Sequence, residues 1–210
     1  MVMLQQSKSR ITVLIIAVSV TLVLAVKILL GPGSNIAGSP DEIRAKGDKN
    51  ALIHITEFID LQCPSCANGA EYLARMMVAH PEAIRLNLKY FPLPNHRHSF
   101  SAARYAECAA RQGKFWPFHD MLLARQANWS RLTDATPAFA LIAQEISLDK
   151  EKLSACLADT SVDALIRESR LEGERRGVRS TPTYYVNGKM VVGTQSLESE
   201  LERLLSEIKK

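Results

Sequence analysis

The alternation of apolar and polar positions predicts a mixed α/β domain from about Ala51 to the end of the chain. Ile84, Leu86, Leu88 and Tyr90 alternate with polar residues, which is the two-residue period of a strand. In chain order the pattern predicts a strand at 52–60, a helix at 64–79, a strand at 84–91, helices from 100 to about 160, two short strands at 184–186 and 189–192, and a last helix at 197–208. A right-handed crossover joins two parallel strands through a helix, so the long helical stretch, at about 95–160, is predicted to be an insertion into an α/β unit.

The first 30 residues are predicted to be a transmembrane anchor or a signal segment. Lys8 and Arg10 precede an uncharged run at 11–26, and three more apolar residues follow Lys27. A run of about 20 residues can span a bilayer when a lysine near its end reaches the interface. We favour an uncleaved anchor because no small-residue cleavage site follows, and a cleaved signal is the alternative. The basic start would stay in the cytoplasm, which predicts that the domain lies on the periplasmic or extracellular side.

Residues 31–50 are predicted to be a linker, because they are rich in glycine, serine, proline and charge. The remaining residues, 51–210, suffice for one hydrophobic core. The net charge is +4, and Lys8, Arg10 and Lys27 supply three of these charges, so the predicted exported part is nearly neutral. No basic run is interleaved with aromatic residues, and nucleic acid is therefore not an expected partner.

The predicted candidate active site lies where the first strand gives way to the first helix. Cys63-Pro64-Ser65-Cys66 occupies this junction. The unpaired amides of a first helical turn and the helix dipole favour the thiolate of a cysteine placed there, and the thiolate is the nucleophilic form of sulfur. Cys66 would lie one turn later, within disulfide reach, where it can resolve a mixed disulfide between Cys63 and a substrate.

A zinc site is the alternative interpretation of this motif. Cys108, Cys156 or the pair His96 and His98 would have to complete the ligand set. Structural zinc sites usually contain a second closely spaced ligand pair, whereas the two remaining cysteines stand alone. The strand-then-helix context therefore favours redox chemistry without a metal, and no other cofactor is expected.

A second motif lies more than a hundred residues downstream, at Thr181-Pro182-Thr183. It precedes two short predicted strands joined by Asn187-Gly188, and this dipeptide is a strong hairpin signal. Pro182 is either an ordinary residue at the start of a strand or the second residue of a cis peptide bond.

The motifs taken together resemble those of DsbA-like thiol-disulfide oxidoreductases in the thioredoxin superfamily. The resemblance is carried by the segment 57–66, by Gln112-Gly113-Lys114-Phe115-Trp116 with His119-Asp120, and by 181–183 with Val186-Asn187-Gly188. It implies a thioredoxin-like fold with a helical insertion. It also implies that Cys63 attacks, that Cys66 resolves, and that Thr181 and the cis-proline Pro182 hold an extended substrate.

The same resemblance implies roles for three further residues. Glu57 matches a buried glutamate that exchanges protons with the resolving thiol, although a solvent-facing position near the end of the strand is the alternative. Asp60 lies on the opposite face of the strand, so the two acids cannot easily share one role. Cys108 and Cys156 would form a structural disulfide, and the alternative is that they are two buried free thiols.

The expected function is an extracytoplasmic enzyme that oxidises the cysteines of exported proteins. A disulfide reductase, an isomerase and a membrane-tethered peptide-binding chaperone are the alternatives. The resemblance implies a membrane redox partner of the DsbB or vitamin K epoxide reductase type, and the predicted N-terminal helix would hold the protein at the membrane.

Overall fold

The computed structural model describes residues 42–208. The predicted anchor or signal segment at 1–30 lies outside these residues. Within 42–208, no helix has both the length and the apolar composition needed to cross a membrane.

The sheet has five strands, β1 (Ala45–Gly47), β2 (Ile53–Ile59), β3 (Ile84–Tyr90), β4 (Thr183–Val186) and β5 (Lys189–Val192). Their order across the sheet is β1-β3-β2-β4-β5. β2 and β3 are parallel, as the crossover predicts, and the other neighbours are antiparallel. The predicted hairpin is confirmed, with Asn187 and Gly188 both at positive φ in the turn between β4 and β5.

Eight helices are described: α1 (Pro64–Ala79), α2 (Ser99–Ala110), α3 (Phe115–Ala124), α4 (Gln126–Trp129), α5 (Thr136–Glu145), α6 (Lys150–Ala158), α7 (Thr160–Arg175) and α8 (Thr194–Ile208). One face of the sheet packs against α1 and α8 through a core that includes Ile55, Leu73 and Leu201. Phe58 points to the other face, where it approaches Gly173 of α7 so closely that an added Cβ would lie 2.9 Å from its ring. The sheet is thus covered on both faces.

The predicted linker at 31–50 overlaps regular structure from Glu42 to Gly47, and its residues 31–41 lie outside those described. A short 3-10 helix at Glu42–Arg44 leads into β1, which pairs with β3. Arg44 is buried against Glu107 of α2, and Trp116 donates a hydrogen bond to the carbonyl of Ala45 at 3.1 Å. Buried tertiary contacts therefore hold this segment in the fold despite its polar composition.

The helical insertion is longer than predicted, because helices continue to Arg175 at the end of α7. Within it, Cys108 and Cys156 form a disulfide with Cα atoms 5.7 Å apart. The bridge ties α2 to α6, and it confirms the pairing that the resemblance implies.

Candidate active site

Cys63 caps the N-terminus of α1, and Pro64 is the first residue of the helix. Proline suits this position because its fixed φ matches the helix and its missing N–H has no intrahelical partner there. The carbonyl of Cys63 accepts hydrogen bonds from the amides of Cys66 and Ala67, at 3.1 and 3.3 Å. Cys63 is 7% exposed and Cys66 is completely buried, so only the first sulfur can be reached from solvent.

The two thiols have opposite acidities. The Cys66 thiol donates a hydrogen bond to Cys63, and the backbone amides of Cys66 and Ser65 act on the same sulfur. They outweigh burial and lower the pKa of Cys63 from its ordinary value of 9.0 to about 5. Burial, followed by the neighbouring Cys63, raises the pKa of Cys66 well above 9.0. At neutral pH the reduced site therefore holds one thiolate, on Cys63, and one thiol.

The second motif folds back onto the first. The peptide bond between Thr181 and Pro182 is cis, and Cys63 Sγ lies 3.4 Å from the carbonyl oxygen of Thr181. A groove of about 500 Å³ begins at this point. It is lined by the first turns of α1 and α8 and by the 180–182 loop. An extended chain placed in the groove would run beside the sulfur of Cys63.

Glu57 lies inside the protein, in the strand that leads to the cysteines. Its side chain is on the same face of the sheet as Ile55 and Ile59, and the residue is 1% exposed. Burial raises the pKa of this carboxyl to about 8, and the charge on Cys63 adds to the effect. Its Oε1 has no hydrogen-bond partner among residues 42–208. A carboxyl in this state holds its proton at neutral pH.

Asp60, in contrast, is fully engaged in structural hydrogen bonds. It accepts from the backbone amides of Gln62 and Leu93, at 2.7 and 2.8 Å, and contacts His96 Nδ1 at 2.8 Å. These contacts fix the turn that carries Cys63. The structure thus separates the two acids, because Asp60 has partners on every side whereas Glu57 retains an unpaired oxygen.

The residues of the zinc alternative do not come together. Cys108 and Cys156 are joined to each other. His96 contacts Asp60, and His98 contacts a backbone carbonyl at 2.7 Å. Within the described part of the chain, no three histidine, cysteine or acidic side chains form a group that could hold a metal.

Two glutamines that the sequence analysis missed hold the turn before α1. Gln126 donates to the carbonyls of Leu61 and Cys63, at 3.0 and 3.2 Å. Gln62 donates to the carbonyl of Ser130 at 2.8 Å. Glutamine is an ordinary surface residue, and both residues that Gln126 contacts lie more than sixty positions before it in the sequence. No local pattern could have indicated them.

Comparison with known proteins agrees with this geometry. The family described as Thioredoxin matches residues 40–207. DsbA2 of Pseudomonas aeruginosa has 27% sequence identity and a TM-score of 0.62, with 77% of this chain and 93% of that chain covered. A thioredoxin-like oxidoreductase from Silicibacter pomeroyi has 26% identity and a TM-score of 0.63, with 77% and 91% covered. The chain belongs to the thioredoxin family, and its structure is similar to those of DsbA-like thiol-disulfide oxidoreductases.

In some curated relatives, the sequence similar to this chain forms only part of a longer protein. Na(+)/H(+) antiporter NhaA 3 of Salinispora tropica is 32% identical over 162 residues, which is 76% of this chain and 24% of the antiporter. The chain therefore spans about a quarter of the length of the relatives that it matches in this group.

Proposed function

We propose that this oxidoreductase oxidises pairs of cysteines in exported proteins, outside the cytoplasm, by disulfide exchange through Cys63 and Cys66. The observation that carries the proposal is the opposed acidity of the two thiols, since the pKa of Cys63 is lowered to about 5 and that of Cys66 is raised. When the reduced form of a cysteine pair is stabilised as a thiolate, the disulfide of that pair is a strong oxidant of other thiols.

The first step starts from the Cys63–Cys66 disulfide. A substrate thiolate attacks Cys63 Sγ, because the sulfur of Cys66 is completely buried. The bond between Cys63 and Cys66 breaks as the mixed disulfide between Cys63 and the substrate forms. Cys66 leaves with the electron pair and takes a proton, and the buried carboxyl of Glu57 is the proposed donor.

The second step releases the product. A second substrate thiolate attacks the substrate sulfur of the mixed disulfide, and Cys63 leaves as a thiolate. The Cys66 thiol and the backbone amides of the first helical turn stabilise this leaving group. The substrate has then lost two electrons and gained a disulfide, and the enzyme holds a dithiol. The proposed acceptor of these electrons is a membrane oxidase of the DsbB or vitamin K epoxide reductase type.

The groove beside Cys63 is the proposed substrate site. Thr181 and Pro182 form its wall next to the sulfur, and its volume of about 500 Å³ accommodates a few residues of extended chain. The proposed extracytoplasmic location is supported by the disulfide between Cys108 and Cys156, because such bridges persist in oxidising compartments. The basic and then apolar start of the chain supports the same location, with membrane attachment or signal cleavage as its two forms.

The test is the oxidation of a reduced peptide with two cysteines by the purified oxidised protein. Cys63→Ser and Cys66→Ser are both expected to abolish turnover, because neither variant can form the disulfide between Cys63 and Cys66. A variant with both Cys108→Ala and Cys156→Ala is the matched control, because it removes two cysteines that do not line the groove and should retain turnover. Turnover by Cys63→Ser would contradict the proposal. Faster reduction of insulin than oxidation of the peptide would favour the reductase alternative.

A further inference from the structure

A buried tyrosine lies between Glu57 and the groove. Tyr184 of β4 is the cross-strand partner of Glu57 in β2. Its side chain is fully buried, and its hydroxyl, like Glu57 Oε1, has no hydrogen-bond partner among the described residues. Two unpaired buried polar groups on neighbouring strands are costly to retain unless they serve each other or a reaction.

The Tyr184 hydroxyl extends to the underside of α1, one turn after Cys66. An added Cβ at Gly69 would lie 2.1 Å from this hydroxyl and 3.3 Å from Thr194 Oγ1. The two hydroxyls therefore lie beneath the same point of the helix, and only glycine leaves room for them. Thr194 Oγ1 in turn donates to the carbonyl of Ser65 at 3.3 Å, and both residues line the groove beside Cys63.

We propose that Tyr184 is a positioning residue that relays protons between buried Glu57 and the groove through Thr194. The inference rests on the proposed function, in which Glu57 gives its proton to Cys66 when that thiol leaves. The Tyr184 hydroxyl then gives its proton to Glu57 Oε1 while it accepts one from Thr194. The Thr194 hydroxyl turns from the Ser65 carbonyl to donate this proton, and water in the groove replaces it. Each group ends the cycle as it began, and one proton has moved from solvent to Cys66.

The electrostatics fit this arrangement. Burial is the main effect on Glu57 and raises its pKa, whereas the Tyr184 hydroxyl acts in the opposite direction and Cys63 adds to the increase. Burial also raises the pKa of Tyr184, with contributions from the charges of Glu57, Cys66 and Cys63. Tyr184 therefore remains a neutral phenol, which can pass a proton on but does not keep a charge.

Tyr184→Phe is the test, because it removes only the hydroxyl. The oxidised full-length protein is mixed rapidly with a reduced peptide that has one cysteine, and the mixed disulfide is quantified after acid quenching. The rate of this step, in which Cys66 must be protonated, is expected to fall by about tenfold or more at neutral pH. Thr194→Val should slow the step in the same way, and Thr194→Ser should restore it.

A second readout does not depend on turnover. The infrared band of the protonated Glu57 carboxyl, assigned with Glu57→Gln, should titrate at a higher pH in Tyr184→Phe, because the hydroxyl that lowers this pKa is missing. Tyr72→Phe is the matched control, since Tyr72 lies in the same core cluster and its hydroxyl is also buried without a described partner. It should change neither readout.

Three results distinguish a failure of the proton relay from a failure of the proposed function. A rate and a carboxyl titration in Tyr184→Phe that equal those of the parent would overturn the relay and leave the proposed function intact. An equal slowing by Tyr72→Phe would also overturn it, because loss of any core hydroxyl would then suffice. A parent protein that forms no mixed disulfide through Cys63 would overturn the proposed function itself, whatever the carboxyl titration shows.

Discussion

Each cysteine pair in this molecule has a buried glutamate beside it, and the two glutamates have opposite surroundings. Glu107 directly precedes Cys108 and forms an ion pair with Arg44 at 2.7 Å, in which both side chains are almost completely buried. The Tyr90 hydroxyl donates to the same carboxylate at 3.3 Å. Glu57, in the strand leading to Cys63, has an Oε1 that no described residue contacts by a hydrogen bond.

The difference shows how one residue type serves structure in one place and chemistry in another. A buried carboxylate with an arginine partner forms an ion pair that fixes the elements around it. A buried carboxyl without such a partner keeps a proton that it can give away. The disulfide between Cys108 and Cys156 accordingly lies beside a buried ion pair, whereas the pair Cys63 and Cys66 lies beside a groove and a buried carboxyl that is the proposed proton donor.

The largest effects on stability are expected when each of the two glutamates is replaced separately by glutamine. Because burial raises the pKa of Glu57 from 4.5 to about 8, the folded state loses stability as the pH rises between these values. Glu57→Gln removes this penalty and should stabilise the oxidised protein at pH 9 by up to about 5 kcal/mol, with little change at pH 4. Glu107→Gln should instead destabilise it by about 3 to 5 kcal/mol, because it breaks a buried ion pair by removing the carboxylate.

Urea unfolding of both variants and the parent at the two pH values measures these differences. The oxidised form is used so that Cys63 does not titrate. The comparison between the two regions fails if the two substitutions change the free energy of unfolding in the same direction at pH 9.

The next effect is the loss of the disulfide. Cys108 and Cys156 are separated by 48 residues. A disulfide that closes a loop of this length lowers the entropy of the unfolded chain and stabilises the folded state by about 4 kcal/mol. A variant with Cys108→Ala and Cys156→Ala should lose about this much stability while the alkylation rate of Cys63 stays unchanged. Urea unfolding and iodoacetamide labelling measure the two quantities. A changed labelling rate would show that the regions are coupled.

The parts of this picture that the sequence predicts are those with local signals. Pro64 after Cys63 marks the start of α1, and Asn187-Gly188 marks the hairpin, because each fixes backbone angles within a few residues. The side of the strand to which Glu57 points follows from simple alternation. The family resemblance adds the disulfide pairing, which no local pattern contains.

The structural features that the sequence does not predict depend on contacts between residues that are distant in the chain. β1 has three residues and a polar composition, and it exists because it pairs with β3 and is held by Arg44, whose partner Glu107 is 63 positions away. The predicted end of the insertion, at about residue 160, falls before α7 for a related reason. The buried positions of α7 include Ser169 and Gly173, which fit against the sheet by their small size and give little apolar signal.

The smallest expected effect concerns the redox potential of Cys63 and Cys66. The lowered pKa of Cys63, about 5, stabilises the reduced form at any pH above that value, and this stabilisation is lost as the pH falls through 5. At pH 7 it amounts to about 2.7 kcal/mol, or about 60 mV, relative to a pair of ordinary thiols. The potential should change by about 30 mV per pH unit above pH 5, where one proton is bound with two electrons, and by about 60 mV per unit below it. Equilibration with glutathione buffers from pH 4 to 8 measures this slope. The variant Glu57→Gln serves as the control, because it removes the other titrating group of the site. A single slope of about 60 mV throughout would mean that Cys63 is an ordinary thiol, and a potential near the −270 mV of thioredoxin at pH 7 would contradict the oxidising direction.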